Sequence, residues 1–142
     1  MSPGPDTREP PAETALTLLG SVGMGRVMFS RFALPAVRPA DHIVDADQLI
    51  IRAGSGISMS ADSQAATYEA DSIDHRTRSG WYVTVTGIAD TATDVDDLAH
   101  YRRLLRPGPS EPHDRIIRIC PRIVTGIEFI GPRGTSERTY EG

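Results

Sequence analysis

Apolar and polar residues alternate in short runs along most of this chain, a period typical of β-strands with one buried face. The alternation is clearest over residues 80–89, where Trp81, Val83 and Val85 are apolar and the intervening positions carry hydroxyl groups. Similar runs predict further strands over residues 25–32, 35–44, 48–53, 64–71 and 115–130. In the last run, Pro121 marks a bend or bulge and divides the run into a predicted strand pair.

Two other segments show the period of an amphipathic helix. Pro11 suits the first turn of a short helix that stops at Gly20. Thr93 or Asp94 caps a second helix that runs to about Leu105. Six or seven short strands with so few helices predict a mainly β fold, a small antiparallel barrel, because a parallel βαβ fold would need more helices.

The chain length of 142 residues corresponds to about one domain. Residues 1–11 are rich in proline and polar side chains, and we expect a disordered tail there. Residues 132–142 lack apolar periodicity and predict a mobile C-terminal tail. The folded domain is therefore expected to span residues 12–131.

The basic residues exclude several chemistries, because all 15 are arginine and the chain has no lysine. Without lysine there is no Schiff base to pyridoxal phosphate and no Walker A loop. The four histidines do not stand at metal-ligand spacing with one another or with Cys120, so no metal site is expected. Cys120 stands alone in an apolar, strand-like run, which predicts a buried structural thiol.

Charge and hydropathy narrow the range of partners. The formal net charge of −4 gives no basic footprint for nucleic acid. No apolar run reaches the length of a membrane span, and the N-terminus lacks the apolar core of a signal peptide. We therefore expect a cytoplasmic protein without a nucleic-acid or membrane partner.

Two arginines on neighbouring predicted strands are candidate ligands for an anion. Arg38 precedes Pro39, which lacks a ladder donor and should lie at a strand edge or irregularity with free backbone groups beside it. The guanidinium fork of Arg38 suits phosphate or a carbonyl-rich ring. Arg52 follows Ile50 and Ile51 near the end of the third strand. The residues alone leave the alternative open that both are surface arginines.

Three segments, quoted in order, carry a family resemblance: GRVMF…LPAVRPADHIV…LIIRAG, AATYEADSID and GWYVTVTGIA. Their order and spacing resemble the pyridoxamine 5'-phosphate oxidase-like, FMN-binding split-barrel family, in its actinobacterial type. The resemblance covers roughly Leu16 to Ile130. It implies a six- to seven-stranded split barrel.

The resemblance also implies a homodimer that binds flavin mononucleotide, or a deazaflavin coenzyme, in a groove between the subunits. The ring would contact backbone near Arg38, Pro39, Ala40 and Asp41, and the phosphate would meet Arg52, Ala53 and Ser58. Trp81 and Val83 of the other subunit would help to close the site. The two guanidinium groups would converge on this crevice. No catalytic residue is assigned, because the redox chemistry belongs to the ring.

Two departures from the family pattern keep alternatives open. Asp41 stands where relatives often carry asparagine, and a carboxylate beside a reduced flavin is unfavourable unless it is paired. The turn after the third strand reads GSGISMS, where relatives commonly carry a cation. Despite these departures, the resemblance as a whole implies a flavin-dependent oxidoreductase acting on a small molecule. The alternatives are a non-enzymatic ligand-binding protein with a degenerate phosphate site or an empty pocket, and a purely structural dimeric barrel.

Overall fold

A computed structural model describes residues 6–54, 56–57, 63–105 and 115–131, which form seven strands and two helices. The strands are β1 (Asp6–Arg8), β2 (Met24–Arg31), β3 (Leu34–Asp45), β4 (Gln48–Ala53), β5 (Gln64–Asp74), β6 (Ser79–Thr91) and β7 (Arg115–Gly131). The helices are α1 (Ala12–Gly20) and α2 (Val95–Leu104). The predicted mainly β fold is confirmed.

The seven strands form one antiparallel sheet in the order β1-β7-β4-β3-β2-β5-β6. An additional pairing of β6 with β7, from Gly80 opposite Phe129 to Thr91 opposite Ile117, joins the sheet into a ring. This closure confirms the predicted split barrel. It also covers edges of β6 and β7 that would otherwise be open to pairing with another chain.

The predicted strand pair over residues 115–130 is wrong, because β7 is a single strand of 17 residues. The register against β6 shifts between Thr86 and Gly87, opposite Pro121. The proline is thus accommodated by a bulge, which bends a strand without ending it. Cys120 lies beside this bulge and is exposed, so the expectation of a buried thiol is wrong as well. By alternation it points away from the interior that holds its neighbour Ile119.

The N-terminal segment contributes to the sheet within the predicted disordered tail of residues 1–11. Asp6–Arg8 pair with β7, and the Arg8 guanidinium lies 3.2 Å from the Glu128 carboxylate. This pairing corrects the predicted boundary, since residues 6–8 belong to the sheet rather than to a tail. The predicted C-terminal tail, residues 132–142, lies outside the described residues.

Both helices begin close to where the sequence predicts. Pro11 is the N-cap of α1, and the buried side chains of Ala15 and Leu19 pack against the barrel. The Asp94 side chain caps α2 by accepting a hydrogen bond from the Asp97 N–H at 3.0 Å. With ten residues, α2 is the longest helix of the described segments, and none of them could span a membrane.

Buried side chains form two clusters on opposite faces of the β3–β4 hairpin. The larger cluster fills the barrel interior and includes Val27, Tyr68 and Val85. The smaller one lies under α2 and includes Ile50 and Tyr101. Because β4 is covered on both faces, it is rigidly held and presents the end of its ladder at a defined place.

Candidate functional site

The strand β3 changes its pairing partner along its length. This strand pairs with β2 from Leu34 to Asp41, but its described pairing with β4 covers only Asp41 to Asp45. In the part of the chain that the structure describes, residues 34–40 therefore have a strand partner on one side only. We call residues 34–40 the one-sided stretch of β3.

Pro39 lies where the β3–β4 ladder stops. The His42 N–H donates to the Gly23 carbonyl at 2.9 Å, so even-numbered residues of β3 direct their backbone groups toward β2. Pro39 therefore faces the β4 side, where it has no N–H to donate. As the sequence predicts, the proline lies at an edge of the pairing.

The unpaired side of this stretch presents backbone groups to any ligand that approaches it. By the same alternation, the Val37 N–H and the Pro39 carbonyl face this side. Arg38 Nη1 donates to the Val37 carbonyl at 2.8 Å, so that acceptor is already used. The remaining N–H and carbonyl are a donor and an acceptor, which is what a heterocyclic ring with imide and carbonyl groups requires.

Asp41 and Arg52 form an ion pair directly across β3 and β4. The Arg52 Nη1 and Asp41 Oδ2 atoms are 3.5 Å apart, and the side chains are 18% and 28% exposed. Arg52 therefore does not simply face water. The pair gives Asp41 a counter-charge, but it also neutralises part of the charge with which Arg52 could hold an anion.

Arg38 and Arg52 lie on opposite faces of the sheet, which corrects the expectation that they converge. Arg38 is directly opposite the fully buried Val27 and shares the inward-pointing face of β3 with Ala40. Arg52 shares the outer face with Asp41. Alternation along both strands produces this separation, because positions 38 and 41 have opposite parity.

The turn after β4 carries positive charge that its own sequence lacks. A Cβ added at Gly56 would lie 3.7 Å from the Arg38 Cδ and Nε atoms, so the Arg38 side chain runs along this turn. Arg115 Nη2, from the start of β7, donates to the Ile57 carbonyl at 2.8 Å. The predicted phosphate ligand Ser58 lies outside the described residues.

Arg115 is the functional candidate that sequence reasoning missed. It lies opposite Ala53, the last residue of β4, in the β4–β7 ladder. Its side chain is therefore next to the turn that follows β4. The only signal in the sequence is a basic residue at the start of an apolar strand run. Because β7 is far from the turn along the chain, nothing local links Arg115 to residues 54–57.

The other predicted site residues belong to the barrel interior. Ala40 is almost completely buried, and Ala53 and Val83 are fully buried in the larger cluster. Trp81 is partly buried and packs against the same cluster. The Val83 side chain therefore has no surface with which to reach a cofactor, and its role is corrected to core packing.

Behind the one-sided stretch, a buried hydrogen-bonded network also escaped the sequence reasoning, which considered His42 only as a metal ligand. His42 Nε2 lies 2.8 Å from the Leu19 carbonyl oxygen, and His42 Nδ1 lies 2.6 Å from Tyr68 Oη. Tyr68 Oη also lies 2.9 Å from the Ala40 carbonyl oxygen. The interior parity that His42 shares with Ala40 is the signal that could have revealed it.

Burial shifts the titration of both network residues. Loss of hydration lowers the pKa of His42 below its ordinary value, although the Leu19 carbonyl and the Asp41 charge oppose this shift. Burial, followed by the Asp41 charge, raises the pKa of Tyr68 well above its ordinary value. At neutral pH the network therefore contains an un-ionised tyrosine and a neutral imidazole.

Next to Pro39, the outer face carries a cluster of charges. Arg26 is opposite Pro39 and lies 2.9 Å from Glu69 and 3.4 Å from Asp71. Partial burial, followed by the hydrogen bond with Asp71, raises the pKa of Glu69. The second carboxylate oxygen of Glu69, Oε1, is buried and has no hydrogen-bond partner among the described residues.

A shallow groove of about 230 Å³ lies on the sheet near the one-sided stretch, and its lining includes Met28, Pro35 and Thr67. Nowhere in residues 6–54, 56–57, 63–105 and 115–131 do three or more His, Cys, Asp or Glu side chains form a group that could hold a metal ion. The site as described offers backbone groups, arginines and carboxylates.

Comparison with known proteins shows which family this chain is similar to. Residues 11–128 match the family model for pyridoxamine 5'-phosphate oxidase. An uncharacterized protein of Mycobacterium tuberculosis is 38% identical over 151 residues, which cover 95% of this chain and 99% of the relative.

Two solved structures with sequence identity above 25% share the fold. A candidate pyridoxamine 5'-phosphate oxidase of Corynebacterium glutamicum is 29% identical, with a TM-score of 0.75, covering 87% of this chain and 98% of that one. An FAD-binding protein of Mycobacterium smegmatis is 28% identical, with a TM-score of 0.67, covering 85% and 96% of the two chains.

Proposed function

This chain belongs to the pyridoxamine 5'-phosphate oxidase family, as the match over residues 11–128 shows, and on that premise we propose that it binds a flavin along the one-sided stretch of β3. The observation that carries the proposal is the stop in the β3–β4 ladder at Asp41–Arg52. It leaves the Val37 N–H and the Pro39 carbonyl as a backbone donor and acceptor beside Arg38. The similarity to an FAD-binding protein supports a flavin as the ligand.

Asp41 fits a neighbouring flavin better than its charge suggests. A lone carboxylate would repel an electron-rich ring, but Asp41 has Arg52 as its counter-ion at 3.5 Å. The pair presents little net charge to a ligand on the outer face. The repulsion expected between the Asp41 carboxylate and a reduced flavin is therefore weaker than the sequence alone predicts.

Two arginines at the turn after β4 fit the phosphate of a flavin nucleotide. Arg38 runs along Gly56, and Arg115 holds the Ile57 carbonyl with one of its five donors. A charge-assisted hydrogen bond from each would contribute about 1.5–3 kcal/mol to binding. We therefore assign phosphate binding to Arg38 and Arg115, and not to Arg52, which lies on the opposite face of the sheet and is paired with Asp41. Flavin mononucleotide is the proposed form.

We further propose that two copies of the chain build the complete site. The outer face beside Asp41 carries two exposed apolar side chains, Met24 opposite Asp41 and Val37 on the one-sided stretch. Apolar side chains that flank a polar binding site are typical of a surface covered by another protein. A second copy would cover them and also exclude water from a bound ring.

The proposed activity is a flavin-dependent oxidation or reduction of a small molecule. When bound, the flavin supplies the electron transfer, while the chain's own residues orient and shield it. A second candidate function is flavin binding without catalysis. The mutual neutralisation of Asp41 and Arg52 favours it, because it leaves this pair less able to act on a substrate.

A titration with a panel of flavin mononucleotide, FAD and a deazaflavin coenzyme tests the proposal. We expect flavin fluorescence to be quenched at about one ligand per chain, and Arg38→Ala to weaken the affinity about tenfold or more. Arg103→Ala is the matched control, since Arg103 is exposed on α2.

Absence of saturable binding by every member of the panel would contradict the proposal. Binding with turnover of an added electron donor favours the oxidoreductase. Stoichiometric binding without turnover favours the non-catalytic binding protein.

A further inference from the structure

The buried network behind the one-sided stretch is one proton short when its imidazole is neutral. Three contacts join His42, Tyr68 and the carbonyl groups of Leu19 and Ala40. A neutral imidazole has one N–H and tyrosine has one O–H, so two protons serve three contacts. His42 is 2% exposed and Tyr68 is fully buried, so bulk water cannot supply the third.

The position of the histidine proton follows from its partners. The Leu19 carbonyl oxygen can only accept a hydrogen bond, so the proton of the neutral ring is on Nε2. Nδ1 is then an acceptor that faces Tyr68 Oη. The single Tyr68 proton is contested by His42 Nδ1 at 2.6 Å and by the Ala40 carbonyl at 2.9 Å.

A second proton on His42 removes this competition. The protonated Nδ1 donates to Tyr68 Oη, and Tyr68 then donates to the Ala40 carbonyl. All three contacts carry a proton in this state. The Ala40 carbonyl therefore receives the Tyr68 proton without competition whenever His42 Nδ1 gains a proton.

Ala40 links this change to the surface, because it lies between Pro39 and Asp41 on β3. We propose that His42 and Tyr68 are positioning residues that couple one proton inside the barrel to the backbone of residues 39–41, and so make flavin binding there depend on pH. The coupling to flavin rests on the proposed function. The coupling to the Ala40 carbonyl does not.

The charges around the network set the pH range in which it acts. The Asp41 charge acts on His42 and Tyr68 from the outer face of β3, and Glu69 and Arg26 act on Tyr68 from β5 and β2. The last turn of α1 directs the Leu19 carbonyl at the His42 ring. Burial is the largest influence and lowers the pKa of His42, so protonation occurs below the ordinary value of 6.5. Tyr68 keeps its own proton throughout this range, because burial raises its pKa.

The geometry of β2 makes room for the network. Tyr68 is on β5 and must cross β2 to reach β3. A Cβ added at Gly25 would lie 2.6 Å from Tyr68 Cε2, so only glycine leaves space for the ring there. Gly25 is also directly opposite Ala40, the residue whose carbonyl the hydroxyl reaches.

Nuclear magnetic resonance on the labelled, cofactor-free chain tests the first half of the proposal. Between about pH 8 and about pH 5, we expect His42 to change from the Nε2–H tautomer to the doubly protonated ring. The Ala40 carbonyl ¹³C resonance should shift with the same midpoint. Tyr68→Phe should abolish that carbonyl shift, and Tyr101→Phe, which removes a hydroxyl from the other cluster, should preserve it.

An Nδ1–H tautomer, an Ala40 carbonyl that does not respond, or a His42 that stays neutral until the fold is lost would each overturn the proposal. The wild-type titration decides this even if Tyr68→Phe fails to fold.

Titration of the same variants with flavin mononucleotide tests the second half. The Kd should change about threefold or more across the His42 midpoint in the wild type and in Tyr101→Phe, and be flat in Tyr68→Phe. A flat wild-type profile would overturn the coupling to the ligand. Complete absence of flavin binding with an intact Ala40 response would contradict the proposed function and still establish the coupling to the carbonyl.

Discussion

The two halves of β3 differ in how their backbone is used. Residues 41–45 pair with β4, whereas the one-sided stretch, residues 34–40, pairs only with β2, and Asp41 is the one described residue that belongs to both ladders. The β4-paired half carries the buried His42 and contributes to the core. The one-sided half carries Arg38 and Pro39, whose side chains are exposed. Stability and binding are thus assigned to different halves of one strand.

Gly25 lies at the border between these halves, opposite Ala40, and its substitution should have the largest effect. A Cβ there would lie 2.5 Å from the Glu69 carbonyl oxygen and 2.6 Å from the Tyr68 ring, so β2 and β5 must separate. We expect Gly25→Ala to lower the free energy of unfolding by about 3 kcal/mol, measured by urea denaturation.

Gly23→Ala is the matched control for this substitution. A Cβ at Gly23 would have no atom within 4 Å, so a change of less than about 0.5 kcal/mol is expected. Equal losses in the two variants would contradict the assignment of Gly25 to close packing.

The one-sided half should respond in binding rather than in stability. Arg38→Ala combined with Arg115→Ala should weaken the binding of flavin mononucleotide by about a hundredfold or more, since each removes a charge-assisted hydrogen bond. Isothermal titration calorimetry measures this effect, with Arg103→Ala as the control. A double variant that binds as tightly as the wild type would show that the phosphate is not bound at the turn after β4.

The β4-paired half should make stability depend on pH, because it carries the buried His42. Folding lowers the pKa of His42, so the unfolded chain binds a proton that the folded chain resists. This contribution to stability is complete above the unfolded value of 6.5 and is lost as the pH falls below it, by up to about 1.4 kcal/mol per pH unit. Urea denaturation at several pH values measures the slope.

His42→Gln removes the titrating group and should flatten the profile in this range. A wild-type chain that gains stability below pH 6.5 would show that the folded state takes up the proton instead, with the opposite sign.

Asp41→Asn should have a small effect on stability. Asp41 lies at the border between the two halves of β3, where the ladders with β2 and β4 meet. The Asp41–Arg52 pair is long and partly exposed, so its loss should cost less than about 1 kcal/mol. The pKa of His42 should fall further, because the Asp41 charge raises it. Flavin affinity should rise, because Arg52 loses its counter-ion. Weaker binding would show that the carboxylate itself contacts the ligand.

The sequence predicts the barrel well, because strand alternation is a local property. The runs around Trp81 and over residues 48–53 define β6 and β4, and the predicted facing of β6 is correct. The continuity of β7 could not be predicted, since a proline in a strand is compatible with either a break or a bulge. The pairing of Asp6–Arg8 depends on a partner more than a hundred residues away.

The site was less predictable, because it depends on which residues meet across strands. Pro39 could be placed at an edge from its chemistry alone. Arg115 reaches the turn after β4 only through the β4–β7 register, and Arg38 and Arg52 separate through parity. The homodimer and the cytoplasmic location stay predictions.

Mapping of backbone amide shifts on addition of flavin mononucleotide tests the account most directly. We predict shifts at Val37, Arg38 and Asp41, with little change at Asp45 and Gln48, which pair with each other at the far end of the β3–β4 ladder. Shifts confined to residues 42–45, or spread evenly along β3, would contradict the account.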